Sequence, residues 1–242
     1  NSDARSVWPV APWVGRSGVR HNARVIQQMR TRVRLRSRIA AARAATPQSV
    51  SALASDYLHR SGWLLSAQKG RAVDAQGQPV PWITYAAAAL LEERVRADWR
   101  VFEYGAGGST AWWAARVREV VAVEHEAEWH HEVTATAAAN TTVHLRALTS
   151  ADYASIISAE GHFDVVVIDG RRRAECAEYA VGALTDRGVI LWDNSERPEY
   201  AEAMERVSQA GFRRLDLHGL GPVNAYAWCT SFFYRDGNCL GL

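Results

Sequence analysis

Between Glu103 and Thr110 the chain reads Glu-Tyr-Gly-Ala-Gly-Gly-Ser-Thr, an acid followed by three glycines and two hydroxyls. Glycine at 105 and 107 lets the backbone turn tightly and approach a ligand with no Cβ in the way. A helix opening beyond Ser109 and Thr110 presents N–H groups that no helical carbonyl takes up. Such a loop holds a small molecule by its main chain. Glu124 lies 17 residues after Gly107, where an acid closing the next strand accepts hydrogen bonds from sugar hydroxyls. Two further acidic turns follow, Asp169-Gly170-Arg171-Arg172-Arg173 and Asp193-Asn194-Ser195. Their carboxylates could take a proton or ligate a hard cation, and the guanidiniums suit a carboxylate, phosphate or sugar acid.

These residues need strands that end together. Short β-branched runs fall at 100–105, 119–125, 142–148, 163–170 and 188–194, separated by helix-favouring stretches. Val165-Val166-Val167-Ile168 and Val189-Ile190-Leu191 are continuously apolar rather than alternating, as strands covered on both faces are. Residues 212–235 alternate about a Leu-Gly-Pro-Val-Asn turn and predict an antiparallel pair at the sheet edge. The fold class is therefore α/β: a doubly wound, mostly parallel seven-stranded sheet with an antiparallel terminal hairpin and an N-terminal helical extension. We divide it into an arm and helical cap over 1–98 and a ligand-binding domain over 99–242.

Within the cap, Pro9, Pro12, Gly15 and Gly18 predict an irregular arm over 1–21. Residues 22–45 predict a basic amphipathic helix with Val25, Met29 and Val33 on one face, 47–68 a short helix, and Ala86 to Arg96 another. Trp63, Trp82, Tyr85, Trp112 and Trp113 either cover the ligand or pack the core.

The 242 residues carry a net charge of only +2. Yet residues 1–50 hold ten arginines against one acid, Asp3, a balance of +9, and the rest carries −7. The basic helix can rest on the acidic body or on a second subunit, or it can track an external polyanion. No run reaches the ~18 apolar residues of a membrane span, and the first residues lack the apolar core and cleavage site of a secretory signal. A cytoplasmic, reducing setting is the expectation. Cys176, Cys229 and Cys239 are odd in number and far apart, with no Cys-x-x-Cys and no histidine cluster beside them. Neither a disulfide framework nor a structural zinc site is expected from that spacing.

The glycine loop lacks the Gly-x-Gly-x-x-Gly spacing of dinucleotide enzymes and the Lys-Ser/Thr of a P-loop, which argues against NAD and ATP. The ordered set of acid-x-Gly-x-Gly loop, acid closing the second strand, Phe-Asp-Val-Val-Val-Ile-Asp-Gly strand and terminal hairpin, over about 99–235, resembles the class I S-adenosylmethionine-dependent methyltransferases. The resemblance implies that S-adenosylmethionine is the cofactor. Its methionine portion would lie against Gly105, Ala106, Gly107, Ser109 and Thr110, with Glu103 organising the loop. Glu124 would bind the ribose, with His125 beside it, and adenine would lie near Ser150, Asp152 and Tyr153, with Asp169 also at the cofactor.

Methylases of planar amines in this fold carry Asn/Asp-Pro-Pro-aromatic after the fourth strand, where this chain has Asp169-Gly170-Arg171. That departure favours O-methylation of a small polar molecule, a sugar or secondary metabolite, over an RNA-modifying activity or a noncatalytic role. The expected catalytic residues are Asp169, Asp193 and Arg171. Asp169, Asp193 and Asn194 also show some likeness to the metal-dependent catechol and caffeoyl-CoA O-methyltransferases, which implies Mg2+ on those three. Without a metal, Asp169, Asp193, His125 or His218 would be the base. Arg197, Tyr200, Asn224 and Tyr226 are further candidate contacts. The expected partners are a small-molecule substrate and a second copy joined through the N-terminal helix, ahead of nucleic acid.

Overall fold

A computed structural model describes residues 46–242, so the arm at 1–21 and the basic helix expected at 22–45 lie outside the described residues. Residues 56–242 form one compact unit. The expected helix over 47–68 is two helices, α1 (Pro47–Arg60) and α2 (Trp63–Lys69), interrupted at Ser61-Gly62. The helix expected from Ala86 is α3 (Tyr85–Arg94).

From Arg100 onward strands and helices alternate: β1 (Arg100–Tyr104), α4 (Gly108–Ala114), β2 (Glu119–Glu124), α5 (Ala127–Ala135), β3 (Thr141–Leu145) and β4 (Phe163–Ile168). Then come α6 (Arg173–Gly182), β5 (Leu184–Asp193), α7 (Ala201–Gln209), β6 (Arg213–Gly219) and β7 (Trp228–Tyr234). The sheet runs β3-β2-β1-β4-β5-β7-β6. Its first five members are parallel, while β7 lies antiparallel to both β5 and β6. This is the sheet and terminal hairpin expected from the sequence. β5 starts four residues earlier than the apolar run suggested, because Leu184 pairs with Phe163 before the register shifts ahead of Val165.

The period of two in β-structure sends successive side chains to opposite faces, and both faces here are buried. Phe102, Val166, Ile168, Ile190 and Trp192 pack with Cys176, Ala177 and Ala180 of α6 and with Met204 and Val207 of α7. Val101, Val165, Val167, Val189 and Leu191 pack on the other side with Ala87 and Leu91 of α3 and with Trp112 and Trp113 of α4. Those two tryptophans are therefore core residues rather than a cover. Among the described residues no helix is long and apolar enough to cross a membrane.

Strand order reverses between β1 and β4, since the chain winds outward through β2 and β3 and then returns to the other side of β1. In an open α/β sheet the crevice at the carboxyl ends of the two strands flanking such a reversal is where a ligand enters. The glycine loop leaves β1 there, and Asp169-Gly170 leaves β4 beside it.

Candidate functional site

The two loops touch through glycine. Gly105 has φ +96°, and a Cβ built on it would stand 3.1 Å from the Cα and N of Gly170. A Cβ on Gly170 would meet the Tyr153 hydroxyl at 2.7 Å and the Tyr104 carbonyl group at 2.9 Å. Any side chain at either position would part the loops. Residues 72–80, joined by the Val73–Pro79 bridge, lie against the start of α4, where a Cβ on Gly108 would be 3.5 Å from the Val80 carbonyl oxygen.

Glu103, the last but one residue of β1, is fully buried. Its Oε2 accepts from Thr110 Oγ1 at 2.7 Å, and that hydroxyl in turn accepts from the Gly107 N–H at 2.9 Å, tying strand, loop and helix start together. Ser109 and Trp113 lie beside the carboxylate, but among the described residues Oε1 has no partner in hydrogen-bonding geometry. Burial pushes the Glu103 carboxyl up to about 7, offset in part by Thr110 and then by its other neighbours. A buried acceptor without a donor is costly, so this atom marks a place where a donor or cation from outside would be gained.

Glu124 is also buried and fastens two loops. Its Oε1 accepts from the N–H groups of His125 at 2.7 Å and Glu126 at 2.9 Å, and its Oε2 from Ala106 N–H at 3.1 Å. Three of the roughly four acceptor positions of a carboxylate are thereby used within the chain. His125 Nδ1 lies 2.8 Å from Glu124 Oε1, with its ring edge-on to Tyr153. Trp129 of α5 donates from Nε1 to the Ala106 carbonyl at 2.6 Å and lies 3.6 Å from where a Gly107 Cβ would be. Nothing in the local sequence pattern singled out this residue.

Tyr153 is fully buried under the β4 loop, and its hydroxyl accepts from Arg171 N–H at 3.3 Å. It supports the loop from below. Asp152 is half exposed and pairs with Arg146 at 2.8 Å and with Ser150. Those two partners, Ser150 first, hold its carboxyl below the usual range.

The three consecutive arginines divide. Arg172 takes φ +51°, pairs with Glu175 at 2.5 Å and donates to the carbonyls of Leu148 and Ser150. Arg173 is buried and donates to the carbonyls of Asp169, Gly170 and Asp193 and to Asp169 Oδ1 at 2.9 Å. It clamps the ends of β4 and β5 together. Arg171 alone is exposed, and its guanidinium has no hydrogen-bond partner among the described residues.

Asp193 is buried at the end of β5, where its Oδ1 accepts from Trp228 Nε1 at 2.9 Å and Thr230 Oγ1 at 2.5 Å. Both donors come from β7 and were not foreseen. Burial first and the nearby Asp169 second push its carboxyl up to about 7. Burial also raises Asp169, to about 6, against the pull of Arg173. Asn194, with φ +52°, makes the turn out of β5.

This arrangement does not fit the expected Mg2+. The guanidinium of Arg173 already fills the space where a cation would neutralise Asp169, and it binds the Asp193 carbonyl as well. Two donors occupy Asp193 Oδ1. A divalent ion added here would face a fixed positive charge, so the metal expectation on Asp169, Asp193 and Asn194 is withdrawn. His218 lies on edge strand β6 opposite Cys229, not beside Asp169. Asn224 offers its carbonyl to Trp63 Nε1 at 2.8 Å, Tyr226 is exposed in the same β6–β7 loop, and the Tyr200 ring packs on Trp192. Arg197 lies close enough to Asp169 to oppose the rise in its carboxyl. Trp82 is partly exposed, while the Tyr85 hydroxyl is buried beside Ser61 with no partner in hydrogen-bonding geometry among the described residues, its ring edge-on to Tyr57.

No protein-family model matches the chain, and no curated protein sequence matches it. Among solved structures it is similar to the precorrin 8W decarboxylase of Methanobacterium thermoautotrophicum, with 19% identity and a TM-score of 0.48 over 64% of this chain and 92% of that one. A methyltransferase-like protein from Silicibacter pomeroyi shares 23% identity, with a TM-score of 0.45 over 62% of this chain and 84% of that one. A putative methyltransferase from Streptococcus mutans, solved in complex with SAH, shares 9%, with a TM-score of 0.46 over 62% of this chain and 96% of that one. At such identities and scores the likeness adds nothing about the reacting groups, whose chemistry rests on the contacts above.

Proposed function

We propose that the chain is an S-adenosylmethionine-dependent methyltransferase acting on an oxygen of a small polar molecule. The observation that carries this reading is the buried Glu103 carboxylate, bound through Oε2 and unpartnered at Oε1, directly behind the glycine loop at the point of strand reversal. A ligand with an amino group satisfies that oxygen, and S-adenosylmethionine carries one.

When bound, S-adenosylmethionine supplies a sulfonium methyl for in-line displacement. The chain's own residues do the positioning. Gly105 and Gly107 let the main chain approach the methionine portion, and Glu103 receives its ammonium. Glu124 keeps an acceptor position for a ribose hydroxyl while holding Ala106 in place. Asp193 takes the proton from the acceptor hydroxyl. Its position beside the β4–β5 clamp and its raised carboxyl, about 7, suit a base working near neutrality. Arg171, exposed and without a guanidinium partner among the described residues, binds an anionic group of the acceptor, which selects sugar acids and phenolic acids over neutral sugars.

Titration calorimetry of the full chain with S-adenosylhomocysteine tests the cofactor reading. Stoichiometric binding, weakened about 10- to 100-fold by Glu103→Gln, is expected from loss of a charged contact. Absence of heat with folded protein would refute it.

A further inference from the structure

Far from one another in sequence, Asp216, His218 and Cys229 meet on the terminal hairpin. β6 and β7 pair antiparallel with His218 opposite Cys229 and Asp216 opposite Ser231. Asp216 and His218 are two residues apart on one strand and so share a face, and Cys229 enters that face from across the pair. A carboxylate oxygen, an imidazole nitrogen and the thiol sulfur all lie within 4.8 Å of one another. Among the described residues this is the one group of three such side chains so gathered.

We propose that these three side chains form a zinc site outside the methyl-transfer centre. The donor set is sulfur, nitrogen and oxygen, the mixture that borderline-soft Zn2+ takes and that magnesium and calcium do not. Three protein ligands on a twisted hairpin leave a fourth tetrahedral position for solvent. Cys229 is a free, fully buried thiol, whereas Asp216 and His218 face solvent and give the ion its path in. Thiolate and carboxylate balance the ion's charge, and the Cys229 proton leaves to solvent on binding.

The surroundings orient the ligands. Ser231 Oγ donates to Asp216 Oδ1 at 2.5 Å and lies 3.7 Å from Cys229 Sγ. Arg214 Nε also donates to that Oδ1 at 2.5 Å, but unlike the buried, four-bonded Arg173 this side chain makes no other hydrogen bond among the described residues and can turn to solvent, so Oδ2 is the oxygen available to the ion. Glu196 Oε2 accepts from the Cys229 N–H at 2.9 Å, and the Cys229 carbonyl accepts from Ser195 N–H at 3.1 Å. An ion held by Cys229 therefore stiffens the turn that follows Asp193. It acts on the site through that turn and touches no reacting atom.

Cobalt substitution of the full chain tests this directly. The wild type is expected to bind Co2+ stoichiometrically, with a thiolate-to-cobalt charge-transfer band and the intense ligand-field bands of a tetrahedral ion, and Zn2+ is expected to displace it. Cys229→Ser should abolish the charge-transfer band, and His218→Gln, an exposed position that leaves folding intact, should weaken binding about 100-fold or more. The double variant Cys176→Ser/Cys239→Ser should keep the band. No band in the wild type, a band that survives Cys229→Ser, cobalt affinity unchanged in His218→Gln, or a band lost in the folded double variant would each overturn the site. Binding of S-adenosylhomocysteine is a separate measurement, so failure here leaves the methyltransferase reading standing on its own.

Discussion

Arg173, rooted in the first turn of α6, donates to the main-chain carbonyl of Asp193 and so joins the ends of two neighbouring strands. With its bonds to the carbonyls of Asp169 and Gly170 and to the Asp169 carboxylate, one planar guanidinium satisfies four acceptors. Its removal leaves the carboxylate without its ion-pair partner and the carbonyls short of donors. Arg173→Met should destabilise the protein by about 2–4 kcal/mol, because it strips a half-buried carboxylate of its charge partner and three carbonyls of a donor. Arg173→Lys should recover little of this, because an ammonium lacks the fork. Urea denaturation of both variants checks it.

Gly170→Ala places a methyl 2.7 Å from the Tyr153 hydroxyl and 2.9 Å from the Tyr104 carbonyl group. The loop must shift, at a cost of about 1–3 kcal/mol. Because the displaced loop presses on Gly105, affinity for S-adenosylhomocysteine should fall in the same variant. Thermal melts with and without that ligand separate the two effects.

The Glu103 carboxyl titrates at about 7 in the folded protein against 4.5 ordinarily, because burial disfavours its charge. The sign follows from linkage: a carboxyl raised by folding contributes stability that is complete below its unfolded value and is lost as pH rises through the folded one. Glu103→Gln removes this dependence. Relative to wild type, the variant should gain on the order of 3 kcal/mol between about pH 4 and about pH 8. Denaturation across that range is the measurement, and a constant difference would contradict it.

Asp193→Asn keeps an acceptor for Trp228 and Thr230 but cannot take a proton. Turnover should drop about 100- to 10,000-fold while cofactor affinity stays near wild type. On the proposed mechanism, in which the Asp193 and Asp169 pair would set the acid limb of the kcat profile, that limb should flatten with it.

Arg171→Ala should raise KM for an anionic acceptor about 10-fold or more and leave kcat nearly unchanged, since the lost contact is made equally before and during reaction. A neutral acceptor should show no such change.

Much of the framework is legible in the sequence alone. Strands buried on both faces declare themselves as unbroken apolar runs, and Glu103, Gly105, Gly107 and Glu124 are adjacent to strand ends whatever the packing. Local pattern determines these because it reflects periodicity and backbone freedom within one element. Roles that depend on which elements meet are not written locally. Arg171, Arg172 and Arg173 are identical in type, yet one is exposed, one holds the 148–150 turn and one clamps β4 to β5, because the turn into α6 points them to different neighbours. Trp228 and Thr230 reach Asp193 only because β7 inserts between β5 and β6. His218 and Cys229 become partners by antiparallel register, a relation between strands that spacing along the chain does not carry. The sequence thus determined the sheet, the glycine loop and the acids at the strand ends, while tertiary pairing decided which of their oxygens are already satisfied and left Glu103 Oε1 without a donor among the described residues.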